Sequence, residues 1–180
     1  RFHRRLIAAC ARANAAGEAG ARPDVNVVIS GAGATGVELA AQLRDTTRVL
    51  ASYGLASFDA SRQVRIKLLE AAPRILPQMS KRVSNATAKL LQKLDVEILV
   101  DDRVVRMDGS SIVTANGQTL AYDLTVWAAG VKAPDWLEHF GGLTTNRNHQ
   151  IIVRETLQSV DDDDVFAIGD CAQCPWPEMH

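Results

Sequence analysis

A chain of 180 residues, 47% hydrophobic with few aromatics, has room for one well-buried domain, or one domain and part of another, around Ala, Val, Leu and Ile. Its formal net charge of -1 and pI ≈ 6.5 leave no concentration of positive charge for a nucleic-acid backbone to meet. Cys10, Cys171 and Cys174 are too few and too unevenly spaced for a disulfide framework, which favours a reducing compartment, and there is neither an apolar run of about 18 residues nor a signal-peptide pattern.

In residues 1–16, Phe2, Leu6, Ala9 and Ala13 recur at helical spacing, so Arg1, His3, Arg4 and Arg5 read as the solvated side of an amphipathic connector helix. A linker over 17–23 leads into 25–30 (VNVVIS), a near-continuous apolar run of the kind buried on both faces of a parallel sheet. The run breaks into Gly31, Gly33 and Gly36, a tight turn followed by a helix from near Thr35 that carries Leu39, Ala40 and Leu43 on one face. Residues 46–63 exceed a minimal connection and read as an insertion or as a lengthened helix with a trailing loop. A second strand over 64–70 ends on Glu70. Pro73 and Pro77 punctuate a loop, and Ser80 suits the N-cap of a helix whose Val83, Ala86, Leu90 and Leu94 recur at helical spacing before a third strand at 96–100.

The texture changes after Asp101. Short strands at 104–108, 111–115 and 118–122 are separated by Asp108-Gly109 and Asn116-Gly117, dipeptides that favour tight hairpin turns, so this stretch reads as a β-meander. Residues 124–128 (LTVWA) return to a buried strand that runs out at Gly130. The predicted fold class is therefore α/β: a Rossmann-like dinucleotide-binding domain with a parallel sheet, crossover helices and a three-stranded meander. From Pro134 onward come strands at 150–153 and 165–168 without partners of their own, an acidic turn at 161–164, and GDCAQCP. The expected organisation is a connector helix and linker over 1–22, the dinucleotide domain over 23–133, and a C-terminal segment over 134–180. A start in mid-helix without methionine and an end just after Pro-Trp-Pro read as an excised fragment.

The residues able to carry chemistry gather at the first glycine turn. Gly31 permits the turn, Gly33 lets backbone approach a pyrophosphate, and Gly36 lets helix and strand pack closely, with Ala34 and Thr35 completing the diphosphate-binding segment. Glu70 would accept hydrogen bonds from adenosine ribose hydroxyls and repel a 2′-phosphate, selecting NADH over NADPH. Its distance from Gly36 exceeds the usual spacing of about 20 residues, which the 46–63 stretch accounts for. Arg74 is able to hold a 2′-phosphate, or is simply a surface loop arginine. Glu38, placed in the first helical turn, is either favourable helix-start chemistry or a carboxylate facing the nicotinamide, and spacing alone does not choose. Cys171 and Cys174 form an isolated C-x-x-C with no second pair, Asp161 to Asp164 read as a solvated loop or a cation site, and His139 and His149 have no identifiable partner; no metal site is assigned.

The combination VVISGAGATGVELA, IKLLEAAPRILP, VWAAGVKAP and VFAIGDCAQCP resembles the type II NADH:quinone dehydrogenases, single-subunit, non-proton-pumping flavoenzymes of the two-dinucleotide-binding-domain superfamily, over nearly the whole chain. The resemblance implies an NADH domain inserted in an FAD domain whose first half precedes Arg1, making 134–180 the return segment of an incomplete FAD-binding domain. It implies that Gly31, Gly33 and Gly36 bind the NADH pyrophosphate and Glu70 the ribose, that Ala129 and Gly130 border the nicotinamide, and that Gly169 and Asp170 contact FAD. Glu38 matches a family glutamate near nicotinamide and flavin, which favours its catalytic reading. The implied activity is hydride transfer from NADH to FAD and then reduction of a quinone, by a respiratory-chain enzyme peripheral to the cytoplasmic side of the inner membrane. Membrane and quinone contacts would come from regions absent here, so the fragment is expected to be soluble, to bind NADH and to be inactive alone. The alternatives are another flavoprotein reductase, of disulfide or ferredoxin type, and a non-catalytic dinucleotide-binding module.

Overall fold

A computed structural model describes residues 2–19, 24–52 and 58–175. Parts of the expected linker (20–23), of the 46–63 stretch (53–57) and of the terminal Pro-Trp-Pro turn (176–177) lie outside the described residues. The chain divides into two compact units, 1–129 and 130–180.

In the first unit, helix α1 (Phe2–Glu18) buries Leu6, Ala9 and Ala13 of the anticipated apolar stripe together with Cys10, while Phe2 is half-buried. Strand β1 (Val25–Ser30) follows, then α2 (Ala34–Ser52), a short α3 (Ala60–Gln63), β2 (Val64–Leu69), α4 (Lys81–Lys93) and β3 (Val96–Leu99). The meander is β4 (Val104–Met107), β5 (Ser111–Thr114) and β6 (Thr119–Ala121), and β7 (Leu124–Trp127) closes the unit. The parallel strands run β3-β2-β1-β7, with Ile29 opposite Leu68 on one side and Val126 on the other. Central β1 is buried along nearly its whole length, as an apolar strand covered on both faces must be. One core joins Leu6, Leu43, Ile66, Leu68 and Leu91 to the sheet. A second, formed by Val28, Leu69, Ile112 and Leu120, seats the meander on the same sheet. Thus 46–63 includes a lengthened helix, since α2 continues to Ser52.

One local expectation changes. Ser80 does cap α4, accepting from the Val83 N–H, but the anticipated stripe is rotated. Ser84 and Leu91 are buried, whereas Val83 and Leu90 are 44% and 61% exposed. The Ser84 hydroxyl donates to the Ile75 carbonyl at 2.7 Å, and this polar anchor sets which face meets the core. In the hairpins, the Asp108 carboxylate accepts from the N–H groups of Ser110 and Ser111, while Gly117 takes φ +81°, a conformation that favours glycine.

The second unit has its own small core of Ala133, Leu137, Leu143, Ile151, Val153 and Ala167. Its strands do find partners: β8 (Ile151–Ile152) pairs in parallel with β9 (Ala172–Gln173). The expected strand at 165–168 is reduced to a single antiparallel bridge between Gln158 and Phe166, because the acidic turn folds this segment back on 157–159 as a tight hairpin. Among the described residues no helix is long and apolar enough to cross a membrane.

Candidate functional site

The glycine turn lies where β1 ends and α2 begins, at the carboxyl edge of the parallel sheet, the edge at which open α/β sheets take ligands. Gly31 has φ +102°, and a Cβ there would stand 2.5 Å from the Ala128 carbonyl carbon and 2.6 Å from Ala129 Cα. A Cβ on Gly36 would meet the Gly31 oxygen at 1.9 Å, so helix and turn are in backbone contact. A Cβ on Gly33 meets nothing within 4 Å. Gly31 and Gly36 are therefore required by packing, while Gly33 borders open space. Ala34 and Thr35 are exposed at the start of α2, where first-turn N–H groups have no intrahelical acceptor and the helix dipole favours an anion. This combination suits a diphosphate, and a side chain on Gly33 would enter the space such a group needs.

Glu70 follows β2 and is half-buried beside the turn. Its Oε2 accepts from the Ala32 N–H at 2.8 Å and its Oε1 from the Ala72 N–H at 3.0 Å, so the carboxylate joins the glycine turn to the next loop. Each oxygen keeps a lone pair for a further donor such as a ribose hydroxyl. The backbone strengthens the same junction. Gly31 N–H donates to Leu69 O, Leu76 N–H to Ala32 O, Asp101 N–H to Ala72 O and Asp102 N–H to Glu70 O. The loops leaving β1, β2 and β3 are thereby laced into one rim. Among the described residues, Asp102 is fully buried, with Oδ1 accepting from the Asn116 N–H and Oδ2 unpaired.

Glu38 is exposed on α2 and accepts from Gln42 Nε2 at 3.1 Å. Because the helix starts at Ala34, Glu38 lies beyond its first turn, which removes the favourable-helix-start reading. Ala129, exposed after β7, is placed against Gly31. Gly130, Gly169 and Asp170 belong to the second unit. There Gly169 takes φ +72° at the head of a 3-10 turn, Gly169–Cys171, and Asp170 is exposed with its backbone carbonyl accepting from Gln150 Nε2.

Three side chains take roles that the sequence reading did not assign. Arg44, 3% exposed on α2, donates to the carbonyls of Leu94, Asp95, Ser61 and Val64, and burial lowers its guanidinium pKa. The available signal was an arginine among Ala40, Leu43 and Thr47 on the buried face of the helix. Arg74 is no free surface arginine, since its guanidinium gathers the carbonyls of Leu76, Pro77 and Met79. His149, in contrast to the expected lack of partners, lies between Asp135 and Glu138 at 3.2 Å each. The Lys132 ammonium holds the Asp135 carboxyl below its ordinary range. In the second unit the acidic turn is internally occupied: Asp161 accepts from Thr144, Asp163 pairs with Arg154, and Asp162 accepts from the Asp164 N–H. Cys171 and Cys174 are free thiols, bonded to the carbonyls of Ile168 and Arg154.

Residues 2–180 match the family described as pyridine nucleotide-disulphide oxidoreductase. The chain belongs to this family. Among curated proteins, the chain is 39% identical over 148 residues to a type II NADH:quinone oxidoreductase of Haemophilus influenzae, covering 82% of the chain and 33% of that protein. It is 32% identical over 154 residues to the Staphylococcus saprophyticus enzyme of the same name, covering 83% of the chain and 37% of that protein. The chain thus spans about a third of the length of the curated relatives it matches. Among solved structures, NDH2 from Plasmodium falciparum in complex with NADH superposes with a TM-score of 0.70 at 23% identity, covering 83% of this chain and 32% of that one, a likeness of fold. A FAD-dependent pyridine nucleotide-disulphide oxidoreductase from Desulfovibrio vulgaris superposes with a TM-score of 0.63 at 30% identity, covering 82% and 34%. The α/β, Rossmann-like fold expected from the sequence is the fold found.

Proposed function

We propose that this chain is the NADH-binding portion of a type II NADH:quinone oxidoreductase, with 134–180 returning to its FAD-binding domain. The observation that carries the reading is the glycine turn with open space at Gly33, closed on its flank by the Glu70 carboxylate. The 39% identity to the Haemophilus influenzae enzyme supports a quinone as final acceptor over the disulfide and ferredoxin alternatives. In the proposed site the α2 N-terminus and residues 31–36 take the diphosphate, with Gly31, Gly33, Ala34, Thr35 and Gly36 in contact. Glu70 accepts from the adenosine ribose, and its negative charge repels a 2′-phosphate. Ala129 and Gly130 border the nicotinamide, and the Glu38 carboxylate faces the reacting end as the catalytic candidate.

Gly169 and Asp170 fit a contact with FAD, because a left-handed glycine beside an exposed carboxylate allows close approach and accepts hydroxyl hydrogen bonds. Bound FAD would supply the redox chemistry, accepting hydride from NADH and passing electrons to quinone. The protein is assigned to the cytoplasmic side of the inner membrane as a peripheral respiratory enzyme.

The test is a titration of the chain with NADH and NADPH, wild type against Glu70→Ala. The expected result is tighter binding of NADH by wild type, with that preference reduced in the variant. Equal affinities for the two nucleotides in wild type would contradict the role given to Glu70.

A further inference from the structure

The loop 71–79 between β2 and α4 contains a Leu76 at φ 48°, in the left-handed region that leucine rarely adopts. A conformation of this kind persists only where surrounding bonds over-determine it. Here they do. Arg74 Nη1 donates to the Leu76 carbonyl at 3.0 Å and to the Met79 carbonyl at 2.8 Å, and Nη2 donates to the Pro77 carbonyl at 2.5 Å. One planar guanidinium thus draws three carbonyls toward a single centre, which a lysine's point charge cannot match in geometry. Met79 N–H closes the ring onto Leu76 O. Ile75, buried beneath, is fixed through its carbonyl by the Ser84 hydroxyl of α4.

The consequence lies outside the loop. With Leu76 held left-handed, its N–H points to Ala32 O, the carbonyl of the residue between Gly31 and Gly33. The Ala32 N–H is taken by Glu70, so the backbone donor and acceptor of Ala32, the residue at the centre of the glycine turn, both find their partners within 70–76.

We propose that Arg74 is a positioning residue for the dinucleotide: by folding 74–79 around its guanidinium it locks Leu76 onto Ala32 and so fixes the diphosphate-binding turn before the ligand arrives. This rests on the NADH reading above. It assigns Arg74 a part in affinity for every ligand that carries the diphosphate, and none in recognising a 2′-phosphate.

The test combines amide hydrogen exchange of the ligand-free chain with titrations of NADH, NADPH and ADP-ribose, for wild type, Arg74→Gln and Arg74→Lys. In Arg74→Gln the amides of Leu76 and Met79 should exchange faster while those of α1 and β1 keep their protection. Dissociation constants for NADH and ADP-ribose should rise by the same factor, about tenfold, with the NADH to NADPH ratio unchanged and a partial recovery in Arg74→Lys. Unchanged exchange at Leu76, or faster exchange with undiminished NADH affinity, would overturn the positioning role. A selective loss of NADPH affinity would overturn it too, by making Arg74 a 2′-phosphate ligand. Wild type that binds no NADH would instead overturn the functional reading, a result distinct from any of these.

Discussion

The two units of this chain reach order by different means. The first is built on a parallel sheet whose central strand is covered on both faces, and its polar side chains are arranged around that sheet: Arg44 collects carbonyls on one flank, Glu70 and Arg74 at the carboxyl edge. The second has a two-residue parallel ladder, isolated bridges and, among the described residues, a core of six, and relies on side chains such as His149, Asp161 and Arg154 to fasten its turns. Where burial supplies most of the stabilisation, a single polar group can be committed to shaping a binding edge. Where burial is small, polar groups are consumed in holding the fold.

The contrast breaks most severely at Gly36. A Cβ there meets the Gly31 oxygen at 1.9 Å, so Gly36→Ala should destabilise the first unit by about 4 kcal/mol, read from urea unfolding by circular dichroism. Arg44→Ala comes next, at about 3 kcal/mol, because it strips the donor from four carbonyls in a buried setting. In the second unit, Val153→Ala should cost about 2 kcal/mol and raise amide exchange across 143–173 while leaving β1 and β2 protected. The smallest effect is at Asp108, whose carboxyl is drawn down to about 2, first by the Ser110 N–H, then by the Ser111 hydroxyl and N–H. Its folded value lies below the ordinary ~3.9, so the turn's stabilisation is complete above about pH 4 and is lost as pH falls through about 2. Acid titration followed at the Ser110 and Ser111 amides should show that midpoint, without a simultaneous change in β1.

Much of the first unit was legible because its signals are local. An apolar run of six residues, a glycine turn, a serine cap and two Gly-containing hairpin turns each specify their own geometry, and β1 occupies the residues read as a strand. The rotation of α4 was not legible, since Val83 and Leu90 fit a helical stripe as well as Ser84 and Leu91 do. Only a hydroxyl bond to Ile75, a tertiary contact, decides between them. The roles of Arg44 and Arg74 were hidden for the same reason, as their partners are carbonyls whose positions exist only after folding. Glu70 was legible as a candidate at the end of β2, but its bridge between Ala32 and Ala72 depends on two loops meeting. In the second unit, composition gave the acidic turn, and pairing across it replaced the free strand expected at 165–168.

The central claim, that the glycine turn receives the diphosphate of NADH, is tested most directly at Gly33, the one glycine of the three with open space beside it. Gly33→Val should leave the circular dichroism spectrum and unfolding midpoint close to wild type while NADH affinity, measured by calorimetry, falls at least about a hundredfold. A folded Gly33→Val chain that binds NADH as tightly as wild type would contradict the account.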